Sequence, residues 1–124
     1  MIHLVIGWLW ILLGFAAGAV AGLMFHDENW LGGYASWPRR MVRLAHVAFF
    51  GMAFVNLSFA VTCRDLAPSP ALRLASGLFV AGAVGMPAVC YLAAWRKPFR
   101  HLFPLPVTCL VLGAVLVLVK LVAS

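Results

Sequence analysis

Four histidines, three acidic residues and three cysteines carry most of the coordination and acid–base chemistry open to this 124-residue chain. His46 is the central candidate. Two histidines from different helices ligate a b-type haem through their ring nitrogens. The pairs to consider are His46 with His101 and His46 with His26, and Arg39, Arg43 and Arg100 would meet the haem propionates. His26, Asp27 and Glu28 together with His46 form an alternative set for a divalent metal, since imidazole and carboxylate are ordinary ligands. A quinone head group would also use His46 as a hydrogen-bond partner. Against these stands a plainer reading, in which His46 and Asn56 each hydrogen-bond a neighbouring helix. The candidate ligands come from different segments, and spacing alone does not bring them together.

No sequence motif of a catalytic site is present: there is no Gly-rich phosphate loop, HExxH, GxSxG or pair of catalytic carboxylates. Ser58 and Thr62 share a segment with His46 but point about 120° and 160° away from it at helical pitch. No nucleophile beside a base is legible, so independent enzymatic activity is not expected. Cys63, Cys90 and Cys109 lack metal-type spacing; Cys90 and Cys109 read as small apolar packing residues, and Cys63 sits at an edge where it would be reactive or lipidated if it has a role.

The segments that must position these residues are apolar. Hydrophobic residues make up 65% of the chain and charged residues 10%, against about 25% charged in soluble domains. Residues 2–25, 41–63, 71–95 and 102–122 each have the length of about 20 apolar residues that crosses a bilayer. The expected fold is all-α, a single domain over residues 1–124 built as a bundle of four transmembrane helices with short loops. Ala19-Val20-Ala21 looks like a signal-peptide cleavage site, but Lys and Arg are missing from the first 25 residues, so the first span is expected to be retained.

Nine Lys/Arg against three Asp/Glu leave a formal charge of +6. The bases lie at span ends, where orientation and anionic head groups account for them better than nucleic acid does. Arg39, Arg40, Arg43, Arg96, Lys97 and Arg100 flank the first and third loops, and Arg64, Arg73 and Lys120 lie on the other side. The positive-inside rule then predicts cytoplasmic first and third loops and both termini outside. Short loops lean toward a bacterial inner membrane. On this topology His26, His46 and His101 sit toward the cytoplasmic face, and His3 lies opposite.

Local chemistry supplies the boundaries. Ser36 before Trp37-Pro38, and Ser69 before Pro70, are N-cap and first-turn pairs. Gly32-Gly33 breaks the first loop. Pro87 inside the third span should kink it, and a neighbouring helix must then satisfy the freed carbonyl. The five tryptophans read as interfacial anchors. Gly14, Gly18 and Gly22 form a double GxxxG, a close-packing ridge that His26 would continue, with the glycines of the third span as its expected receiver.

No Asp or Glu lies within a span, which counts against a small proton antiporter of the multidrug type. The leading expectation is an accessory, assembly or stabilising subunit of a larger membrane complex, such as a respiratory one. The alternatives are a haem-, metal- or quinone-binding protein centred on His46, and a small homodimeric transporter or channel lined by His46 and Asn56. Expected partners are lipid, other membrane subunits or a second copy.

Overall fold

The structure, a computed structural model, describes residues 1–123. Four helices carry the chain: α1 (Ile2–Met24), α2 (Trp37–Thr62), α3 (Pro70–Trp95) and α4 (Pro104–Val122). All four are long and apolar enough to cross a membrane. Short 3-10 turns occupy Trp30–Gly32 and Lys97–Leu102 in the first and third connections, and the described residues contain no strand. The protein is a multi-pass, all-helical membrane bundle.

Both serine caps form. Ser36 Oγ accepts from the Arg39 backbone N–H at 3.4 Å, and Ser69 Oγ accepts from the Leu72 N–H at 3.3 Å. Because Ser36 caps it, α2 starts at Trp37, four residues before the apolar run suggests. Those four residues place Arg39 and Arg40 in the first turn of the helix. Between α1 and α2 the chain reverses through Leu31, Gly32 and Gly33, all at positive φ (55°, 88° and 99°). Glycine reaches that region freely, whereas Leu31 does so at a steric cost.

Packing follows chain order. α1 lies on α2, α2 on α3, and α3 on α4, while α1 meets α3 only marginally. Small residues set these approaches. A Cβ on Gly18 would come within 2.5 Å of His46 Cε1, and one on Gly14 within 2.8 Å of the Phe50 ring. The ridge therefore faces α2 rather than the glycines of α3, and it stops at Gly18, because Gly22 has open space around its missing Cβ. His26 does not extend it either: α1 ends at Met24, and His26 lies in the turn beyond. The receiver of α3's glycines is α4. A Cβ on Gly82 would meet Leu110 at 2.5 Å, and one on Gly113 of α4 would meet Phe79 at 2.9 Å.

Pro87 lies inside α3 and has no N–H for the carbonyl four residues earlier, that of Ala83. The Trp10 indole N–H of α1 donates to that carbonyl at 2.8 Å. Trp37 acts similarly at the end of α3. The chain leaves the helix at Arg96 in an extended conformation, and the Trp37 indole donates to the Ala93 carbonyl at 2.7 Å. Two of the five tryptophans are thus inter-helix hydrogen-bond donors. Trp8 and Trp95 are exposed, as anchors are.

Candidate functional site

Polar side chains buried between the helices define the site. His3, one residue into α1, is 6% exposed, and Asn56 of α2 is fully buried. The His3 ring bridges two other helices: its Nδ1 lies 2.7 Å from Asn56 Oδ1, and its Nε2 lies 2.7 Å from Ser76 Oγ of α3. Chemistry orders the protons along this chain. The Asn56 amide nitrogen donates to the Met52 carbonyl at 2.9 Å, so the oxygen of that amide faces His3. An amide oxygen only accepts, hence Nδ1 carries the imidazole proton. The remaining lone pair on Nε2 accepts the Ser76 hydroxyl proton. Phe59 packs edge-on against the imidazole, with ring centroids 4.5 Å apart, and fixes its plane.

This cluster was not legible in sequence. His3 stands near the chain start, and its two partners lie 53 and 73 residues away. Ser58 and Thr62 share a helix with His46, but the serine that the fold sets beside an imidazole is Ser76, beside His3. Asn56 likewise bonds His3, whereas His46 bonds the Gly14 carbonyl.

The histidines singled out from sequence have three separate environments. His46 inserts its ring over Gly18 and edge-on against Phe50, with centroids 5.3 Å apart. Its Nδ1–H donates to the Gly14 carbonyl at 3.0 Å. His26 is exposed and donates from Nδ1 to the Leu23 carbonyl of its own helix end at 2.7 Å. His101 is exposed within the third connection. No hydrogen bond or ring contact joins any two of them, and the described residues hold no group of three or more His, Cys, Asp or Glu side chains disposed to bind a metal ion.

At the other end of the bundle, Arg39 is 3% exposed. Its guanidinium donates to the carbonyls of Phe25, Asp27 and Glu28 at 3.3 to 3.4 Å, and it stacks over Phe25 and Trp30. These carbonyls follow the end of α1, where a cation is favoured. Arg43 lies over the Tyr34 ring, 4.1 Å from its centroid. Arg39 Nε and Arg43 Nη1 are buried without a hydrogen-bond partner. Arg40 and Lys97 approach the Trp37 ring from different segments, at 6.0 and 5.4 Å. Arg40 and Lys97, which flank the first and third loops, therefore meet at one indole ring. Outside the spans, burial pushes the Cys63 thiol above its ordinary pKa, which disfavours the reactive thiolate.

The chain matches no family model, no curated protein and no solved structure.

Proposed function

We propose that the protein is an accessory subunit that assembles or stabilises a larger membrane complex, such as a respiratory one. The observation that carries this reading is the incomplete burial of α4. Only 11% of its span is buried, against 39% for α3, and α4 packs chiefly along α3. Between α2 and α4 an apolar groove stays open, lined by Phe54, Phe59, Leu110 and Leu118 among others. A partner helix laid in this groove would gain van der Waals packing, the main attraction between helices in lipid. The polar groups of His3, Asn56, Ser76 and Trp10 have partners inside the chain, and His46 is tied to the Gly14 carbonyl through Nδ1, which suits a rigid scaffold better than a polar conduction path.

In this reading the chain sits in a bacterial inner membrane, with its first and third loops in the cytoplasm and both termini outside, as the six-to-three excess of bases favours. The test is native purification of the tagged chain, with co-purifying proteins identified by mass spectrometry. A stoichiometric membrane partner that cross-links to a photoreactive residue at Leu118 supports the proposal. A monomer in native membranes, whose deletion alters no complex, refutes it.

A further inference from the structure

We propose that Ser76 is a nucleophile, activated by His3, for acyl transfer from the carboxylic ester of a membrane phospholipid. Three relations required of such a site are met together. The nucleophile and base are in hydrogen-bond contact, Ser76 Oγ to His3 Nε2 at 2.7 Å. The base is oriented through its other nitrogen by the Asn56 amide oxygen at 2.7 Å. The tautomer that this amide imposes leaves Nε2 free to take the hydroxyl proton, as in nucleophile–base–orienter triads.

The third relation is access. Ser76 is half-buried and lines a cleft of about 310 Å³ with Phe59, Leu66, Leu72 and Arg73. The apolar walls suit an acyl chain. Arg73 lies one turn before Ser76 and is exposed, so its guanidinium is available to a lipid phosphate. Depth fits as well. The 26 residues of α3 span about 39 Å at 1.5 Å per residue, some 9 Å more than the hydrocarbon core. With the helix centred, Arg73 lies at the core boundary and Ser76 about 5 Å inside it, so an ester carbonyl reaches Ser76 by dipping about one helical turn while its phosphate stays near Arg73.

The step balances with water as the only co-reactant. Ser76 Oγ bonds to the ester carbonyl carbon while its proton passes to His3 Nε2. The ester C–O bond then breaks, and the departing lysophospholipid alkoxide takes that proton. Water, deprotonated in turn by Nε2, releases the acyl group as a fatty acid and restores Ser76. Asn56 is a positioning residue that acts through the imidazole.

The test uses the full chain in nanodiscs and an alkyl fluorophosphonate. The Ser76 Oγ–P bond forms, fluoride leaves, and the adduct is located by mass spectrometry. The expected result is an adduct on Ser76 that is absent in Ser76→Ala and forms about 100-fold more slowly in His3→Gln, the usual scale of general-base assistance. Asn56→Asp should restore the labelling that Asn56→Leu removes. A second measurement does not depend on serine reactivity: the Ser76→Cys thiol should alkylate with iodoacetamide faster with His3 present than with His3→Gln. An unlabelled Ser76 in protein of unchanged thermal stability, or equal alkylation rates in the two backgrounds, overturns the proposal.

Discussion

Trp10→Phe tests whether the indole of α1 replaces the hydrogen bond that Pro87 denies to α3. The substitution keeps an aromatic ring near Phe49 but removes the N–H that meets the Ala83 carbonyl at 2.8 Å. That carbonyl lies within a membrane-spanning helix, with no water to replace the donor. Leaving a buried acceptor unsatisfied costs about 1–3 kcal/mol, and interhelical hydrogen bonds in membranes average about 0.6 kcal/mol with a maximum near 1.7. A loss of about 1–2 kcal/mol is expected, part of it from the smaller ring. The two parts separate in a double-mutant cycle. In Pro87→Ala the backbone N–H of residue 87 reaches the Ala83 carbonyl, and the indole becomes redundant. Trp10→Phe should then cost only its packing share, leaving a coupling of about 1 kcal/mol between the two sites. Reversible unfolding in mixed micelles, followed by circular dichroism, measures all four corners. Equal costs of Trp10→Phe in both backgrounds would refute the reasoning.

Gly18→Leu should destabilise by about 1–3 kcal/mol through overpacking against His46, whereas Gly22→Leu should change stability by less than about 0.5 kcal/mol; the same unfolding assay distinguishes them. Arg39→Gln should cost about 2–3 kcal/mol, on the scale of hydrogen bonds to a charged group, and open the first loop to protease. Arg39→Lys should not restore protection, because an ammonium cannot reproduce the planar fork. Cys63 should react with maleimide more slowly than an unhindered thiol at pH 7–8, since its raised pKa leaves less thiolate at any pH below it. An alkylation time course with intact-mass detection gives the rate.

The span positions were legible because they rest on composition, and the caps at Ser36 and Ser69 because they rest on local chemistry. Pro87 even implied that some donor had to reach the Ala83 carbonyl, although not that Trp10 would be the donor. What lay beyond the sequence were choices made by packing. His3 reads as a polar residue at a span end until α2 and α3 close around it. Arg39 counts as a topology charge, yet its side chain is buried under Phe25 and Trp30. Four-residue glycine spacing suggests one continuous ridge, but the α1–α2 contact ends before Gly22. Periodicity says which residues share a face. It does not say where along that face two helices part.

Chain-order packing also bears on how the protein is made. From α2 onward, each helix leaving the translocon finds a packing neighbour already delivered, so most of the bundle can dock during synthesis. Like the Trp10 indole, which waits for the Ala83 carbonyl of α3, His3 is an exception. It enters the bilayer with the first helix, but its last partner, Ser76, arrives only with the third. Until then a polar ring near the leading end of α1 must keep contact with water or the insertion machinery. Release of α1 into lipid is thereby tied to the arrival of α3, and a chain stalled between the two would expose a surface that membrane quality control can read.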